Sequence, residues 1–168
     1  MNFKNKIFFD KDVSLDELKY KKVGIIGYGN QGRAQALNLK DSNKSVFIGL
    51  RKNSKNIKKA QKDGFEIKDI ENSINQSDLI CLLIPDEEIK TVFNQKIKKH
   101  LKKGQTLLFS HGYSVHFKEI NIPNFVNVIL VAPSGSGKMV RNEFIEGRGV
   151  PNLIAIDQDF TGNALEVA

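Results

Sequence analysis

With 168 residues, 40% hydrophobic and 27% charged, the chain has the composition of a folded globular protein, not a disordered or fibrous one, and enough length to bury a core as one domain. Its longest apolar run of consequence, Leu79 to Ile84, is far too short to span a bilayer. The formal charge of +7 comes from 22 Lys and only 4 Arg; the lysines are spread through 55–62 and 90–103, which reads as solvated helix faces and not as the clustered Arg and aromatics of a nucleic-acid surface. The charged start MNFKNKIFFDKD lacks the apolar centre and small-residue cleavage site of a secretory signal. A single cysteine, Cys81, excludes a disulfide framework, and a reducing, cytoplasmic compartment is expected.

Residues 1–20 read as an N-terminal arm, in which Ser14 to Leu18 has the pattern of an N-capped helical turn. Val23 to Ile26 then forms a short apolar strand that runs into Gly27-Tyr28-Gly29-Asn30-Gln31-Gly32 and a helix carrying Ala34, Ala36, Leu37 and Leu39. This is GxGxxG with a strand before it and a helix after it, the context that makes the motif informative. Gly27 permits the tight turn, Gly29 lets the backbone approach a pyrophosphate, and Gly32 lets helix and strand pack closely. The helix start then presents its first-turn N–H groups and positive dipole end to the phosphates. A Gly-rich turn without a ligand would explain one glycine better than three at this spacing.

Asp41 to Lys44 is a turn, and Ser45 to Leu50 is a second, β-rich strand. A helix is expected over Asn56 to Gly64, a short strand over Phe65 to Ile67, and a short helix over Ile70 to Asn75. Leu79 to Ile84 is a buried strand, Glu87 to Leu101 a helix, Thr106 to Ser110 and Val126 to Val131 two more strands, and Asn152 to Ile156 a candidate for one further. Strands that alternate with helices and read as unbroken apolar runs predict a doubly wound, mainly parallel α/β sheet of the Rossmann type, with helices on both faces.

In such a sheet, ligands bind beyond the carboxyl ends of the strands. After the second strand, Ile48 to Leu50 supply no Asp or Glu to hold a ribose 2′-hydroxyl. Arg51 is there instead, able to fork a 2′-phosphate, with Ser54 and Asn56 to add hydrogen bonds, so NADP(H) is expected over NAD(H). After the buried strand come Pro85, Asp86, Glu87 and Glu88. Helix capping and dipole compensation would explain these acids, and their position also suits a cofactor lining. After the next strand comes His111, placed for proton transfer or a polar contact with substrate, with a purely structural role as the alternative; His100 and His116 read as structural or exposed. Ala132 to Met139 fails as a triphosphate loop, because Ala132 and Met139 stand where that motif needs Gly and Ser or Thr. It reads as a Gly/Ser-rich loop beside the nicotinamide.

The segments FFDKD, KKVGIIGYGNQGRAQALNLKDS, GLRKNSKN, LIPDE, FSHGYSVHF and VAPSGSGKMVRNEFIEGRGVPNLIAIDQDFTGNA, in this order over nearly the whole chain, resemble the N-terminal domain of ketol-acid reductoisomerase. Members of that family carry out a Mg²⁺-dependent alkyl migration in an acetohydroxy acid and its reduction by NADPH to a dihydroxy acid, in valine and isoleucine synthesis. The resemblance implies that Tyr28, Gly29, Asn30 and Gln31 form the cofactor loop, that Arg51, Ser54 and Asn56 hold the adenosine phosphate, that Asp86, Glu87, Glu88, Ile89 and Gly137 lie along the cofactor, and that His111 is catalytic. Two departures stand out. Ser134 and Ser136 replace a lysine and a proline of the family loop VAPKGPG, with Lys138 the nearest cation in sequence. The family also continues into a helical C-terminal domain whose Asp and Glu side chains bind two Mg²⁺ ions, while this chain stops at Glu166-Val167-Ala168 with no carboxylate cluster of its own. Mg²⁺ is therefore expected only with that domain, as a further domain or a separate subunit, and a homo-oligomer is expected at full length. A stand-alone or catalytically incomplete NADP-binding module is the alternative reading.

Overall fold

A computed structural model describes residues 7–14 and 16–168. The first six residues of the expected arm, and Leu15 within its helical turn, lie outside the described residues. What is described there is a 3₁₀ turn at Asp16–Leu18, with the Ser14 hydroxyl accepting from the Asp16 N–H at 3.1 Å.

The chain then alternates strand and helix: β1 Lys22–Ile26, α1 Asn30–Asp41, β2 Ser45–Gly49, α2 Ile57–Lys62, β3 Glu66–Lys68, α3 Ile70–Gln76, β4 Leu79–Leu82, α4 Asp86–Val92, β5 Thr106–Phe109, α5 Tyr113–His116, β6 Asn127–Pro133, α6 Gly137–Ile145, β7 Asn152–Gln158 and α7 Ala164–Val167. The seven strands form one sheet in the order β3-β2-β1-β4-β5-β6-β7. β1 to β6 pair in parallel, with Ile25 between Ile48 and Cys81 across the centre, and β7 runs antiparallel to β6. The expected doubly wound sheet is present, and its strand order reverses between β1 and β4, which is where such sheets open a crevice.

Alternate side chains of the central strands feed two cores. Ile26, Ile80, Leu82, Leu107 and Phe109 pack under α3 and α4 with Ile74, Ile89, Phe93 and Ile97. Val23, Ile25, Ile48, Leu79, Cys81 and Leu108 pack against the opposite layer, with Ala36, Ala60 and Val167. Burial on both faces explains the unbroken apolar runs, and each fully buried Ile or Phe contributes roughly 1.5–3 kcal/mol.

Most element boundaries move by one or two residues from expectation, and three differences bear on packing or on the cleft. The helix expected over Glu87 to Leu101 ends as an α-helix at Val92 and continues through a π-turn at Phe93–Ile97 into a 3₁₀ turn at Lys98–His100. The wider turn keeps both Phe93 and Ile97 inside the core, a packing demand that residue spacing does not show. β4 stops at Leu82 instead of Ile84, although the Leu83 N–H still reaches the Ile26 carbonyl at 2.9 Å. Part of the expected Gly/Ser loop is the start of α6, whose N-terminus is capped by the Ser136 hydroxyl accepting from Met139 N–H at 3.4 Å. A glycine at the first helical position hides that start from propensity. A Cβ on Gly137 would sit 2.1 Å from the Asn30 carbonyl oxygen, so glycine is what lets α6 lie against α1.

Candidate functional site

Between the ends of β1, β4 and β5 lies a cleft of 350 Å³, within the size range of cofactor sites. Gly29, Asn30 and Gln31 form one wall, Leu82 to Asp86 with Ile89 the second, and Ser110 with His111 the third.

The first wall is a packed backbone turn. Gly27 has φ +100°, in the left-handed region, and a Cβ there would come within 2.5 Å of the Leu83 carbonyl oxygen. A Cβ on Gly32 would come within 2.6 Å of the Gly27 carbonyl oxygen. Gly29 differs, since a Cβ there would meet nothing within 4 Å: its open side is the cleft. As the N-cap of α1 it has no side chain to occupy the first-turn N–H groups, which are left for an anion.

Tyr28 is held behind this turn. Its ring is buried edge-to-face against Phe65, with centroids 5.8 Å apart, and its hydroxyl donates to Asp63 Oδ2 at 2.8 Å. Arg33 forks the same carboxylate, Nε to Oδ2 at 2.7 Å and Nη2 to Oδ1 at 3.1 Å. The Arg33 hydrogen bonds hold the Asp63 carboxyl below the usual carboxylate range, and burial, reinforced by Asp63, pushes the Tyr28 phenol well above its ordinary value. Tyr28 therefore offers a ligand its backbone and not its ring. Gln31 is anchored too, its amide donating to the Gly135 carbonyl at 2.8 Å.

The loop after β2 flanks the cleft without lining it. The Ser54 N–H donates to the Arg51 carbonyl at 2.9 Å, and the Ser54 hydroxyl accepts from Asn56 N–H at 3.3 Å, so the loop is folded over Ser54 just ahead of α2. Arg51 reaches to Glu88 in the first turn of α4, where Nη2 lies 3.1 and 3.3 Å from the two carboxylate oxygens.

His111, at the end of β5, is exposed, and its Nδ1 lies 3.1 Å from Asp86 Oδ2 and 3.3 Å from the Tyr113 N–H. The two contacts need opposite states of one nitrogen. Donation to Asp86 requires a proton on Nδ1 and frees Nε2 as a base, while acceptance from Tyr113 requires Nδ1 to be bare. The position of the Nδ1 proton therefore decides whether His111 turns to Asp86 or to the Tyr113 backbone. His111 also borders a second, apolar groove of 500 Å³ between α5 and β6–β7, lined by Phe109, Tyr113, Phe117, Leu130 and Ala155 among others.

Of the residues picked from sequence, the structure brings Gly29, Asn30, Gln31, Asp86, Ile89 and His111 to one cleft. Gly27, Gly32 and Tyr28 support it from behind. Arg51, Ser54, Asn56 and Glu88 sit beside it. Glu87 is exposed away from the lining, and Gly137 is buried against α1. Sequence reasoning missed Leu83, Ile84 and Ser110 as cleft residues because it placed them inside the strands ending at Ile84 and Ser110, whereas β4 ends at Leu82 and β5 at Phe109. Among the described residues no group of three or more His, Cys, Asp or Glu side chains could hold a metal, and no helix is long and apolar enough to cross a membrane.

Comparison with known proteins matches residues 17–168 to the family model described as acetohydroxy acid isomeroreductase, NADPH-binding domain. The ketol-acid reductoisomerases (NADP(+)) of Pyrococcus abyssi and Methanocaldococcus jannaschii are each 48% identical over 163 residues, 97% of this chain and 49% of theirs. A solved structure, an NADH-preferring ketol-acid reductoisomerase from an uncultured archaean, superimposes with a TM-score of 0.94 at 40% identity, over 97% of this chain and 51% of that one. A 3-hydroxyisobutyrate dehydrogenase of Mycobacterium tuberculosis, 12% identical with a TM-score of 0.65 over 87% of this chain and 51% of its own, shares the fold alone. The chain spans about half the length of the curated relatives it matches. By the match of its NADPH-binding domain and by its curated relatives, the chain belongs to the ketol-acid reductoisomerase family.

Proposed function

We propose that this chain is the NADP(H)-binding domain, residues 1–168 with 1–20 as an arm, of a ketol-acid reductoisomerase that converts acetohydroxy acids to 2,3-dihydroxy acids in valine and isoleucine synthesis. The observation that carries the reading is the meeting of the open glycine turn, the start of α4 and His111 in one cleft at the point where the strand order reverses. The free space over Gly29 and the uncapped start of α1 fit a pyrophosphate. NADPH when bound supplies a hydride.

The residues here have four roles. The α1 amides, with Asn30 and Gln31, seat the pyrophosphate; Arg51, Ser54 and Asn56 seat the 2′-phosphate; Asp86, Glu87, Glu88, Ile89 and Gly137 belong to the wall along the cofactor or its support. His111, with Asp86 3.1 Å from its Nδ1, is placed to take or return a substrate proton where the cleft meets the apolar groove. These side chains do not form a site for Mg²⁺, so no step is assigned to a metal held by them; the ions would come with a helical domain or subunit bearing spaced Asp and Glu. The lone, buried Cys81 supports a cytoplasmic setting. The exposed Tyr113, Phe117 and Leu153 support a larger assembly, a homo-oligomer at full length, and nucleic acid and membrane are not among the partners proposed.

The test is titration of the protein with NADPH, followed by turnover of 2-acetolactate with Mg²⁺. Saturable one-to-one NADPH binding is expected, and its absence overturns the reading. Turnover that appears only with a metal-binding helical partner marks an incomplete enzyme, and loss of that turnover in His111→Gln with NADPH binding retained assigns the proton step.

A further inference from the structure

The end of β2 carries no carboxylate for a ribose 2′-hydroxyl, yet the structure brings one there from another element. β2 and β4 flank β1 on either side. Arg51, just after β2, and Glu88, in α4 just after β4, therefore meet across the end of β1 and its glycine turn. One guanidinium nitrogen lies within 3.1 and 3.3 Å of both Glu88 oxygens. One arm of the guanidinium that would take a 2′-phosphate already holds an anion.

We propose that Glu88 is a specificity-determining residue whose carboxylate competes with the 2′-phosphate for Arg51 and accepts the 2′-hydroxyl of an unphosphorylated ribose, so that the preference for NADPH over NADH is compressed. The inference rests on the cleft being a nicotinamide dinucleotide site. An exposed ion pair is worth little, so a phosphate can displace Glu88 from Arg51. What persists is repulsion between the displaced carboxylate and a phosphate that carries close to two negative charges. With NADH no such repulsion arises, and an ionised carboxylate is the acceptor that NAD-selective sites use for the 2′-hydroxyl. Glu88 thus penalises one nucleotide and favours the other, while Arg51 favours the phosphorylated one.

The test is a comparison of dissociation constants for NADPH and NADH in the wild type and Glu88→Gln, with Glu143→Gln as a control of equal charge change, because Glu143 pairs with Arg148 and not with Arg51. Glu88→Gln is expected to raise the preference for NADPH about threefold to fivefold. The gain should be largest near about 20 mM salt and shrink near about 500 mM. It should shrink only in part in an Arg51→Ala background, where the competition for Arg51 is lost while repulsion of the phosphate and acceptance of the 2′-hydroxyl by Glu88 remain, and the control should leave the preference in place. An unchanged or lowered preference in Glu88→Gln, or the same rise in the control, overturns the proposal while leaving NADPH binding by the wild type intact. Wild-type protein that binds neither nucleotide overturns the cofactor reading and this inference with it.

Discussion

The glycine turn presents backbone N–H groups locked by packing, whereas the Arg51–Asn56 loop presents side chains that reach into solvent. Gly27 and Gly32 sit where any Cβ would strike a carbonyl oxygen, and Tyr28 is clamped from behind by Asp63 and Arg33. Arg51 has one ion pair, and its side chain is 65% exposed. On the proposed function, the pyrophosphate, common to both nicotinamide dinucleotides, would meet the rigid end, and the 2′ position, where they differ, the adjustable one. Substitution at the first end should therefore damage stability and binding together, and at the second only the choice between nucleotides.

Gly27→Val tests the rigid end most severely. It combines a positive φ with a contact of 2.5 Å to the Leu83 carbonyl oxygen. A loss of about 3 kcal/mol is expected, read as a fall in melting temperature of roughly 6–12 °C, with nucleotide binding abolished. Melting within a degree or two of wild type would mean that the turn is not held as described.

Asp63→Ala removes the clamp without touching the cleft. The Tyr28 hydroxyl then lacks its partner in a buried position, at a cost of about 1–3 kcal/mol in a denaturant titration. The clamp also has a pH signature. Asp63 is held below its unfolded value, so its contribution is complete above the ordinary Asp range near 4 and is lost as pH falls through the lowered folded value. Wild type and Asp63→Ala should converge in stability below that range, and a gap that persists in acid would assign the effect to packing.

Arg51→Ala tests the adjustable end. NADPH affinity should fall about tenfold with melting temperature unchanged and NADH affinity nearly so, as expected for one lost charge-assisted contact. A matching loss for NADH would place Arg51 on a group common to both nucleotides. The smallest effect expected is at Cys81, where burial pushes the thiol up to about 12. The native protein should resist alkylation at pH 8 by a factor of about 100 or more relative to the protein in urea, and fast labelling would mean that the sheet opens locally.

The rigid end was legible in the sequence and the adjustable end only partly so. Gly27, Gly29 and Gly32 announce their roles because strand, turn and helix are contiguous and each glycine answers a local steric demand. Arg51 is legible as a cation past a strand end. Its partner Glu88 is 37 residues away, and in sequence its acid looks like a helix-start compensation. Gly137 shows another side: the resemblance implied a place along the cofactor, and packing also makes it the point where α6 touches α1. The π-turn at Phe93–Ile97 likewise answers a core that the local pattern does not contain.

Local chemistry determined the alternation of strands and helices, the parallel sheet, the glycine turn and His111 at a strand end, because hydrophobic period, turn residues and motif spacing act over a few neighbours. Only tertiary structure decided which carboxylate meets Arg51, which face of Tyr28 a ligand can reach, and that Asp86 comes beside the ring of His111. Those pairings join segments tens of residues apart in sequence, brought within hydrogen-bond distance by the strand order of the sheet.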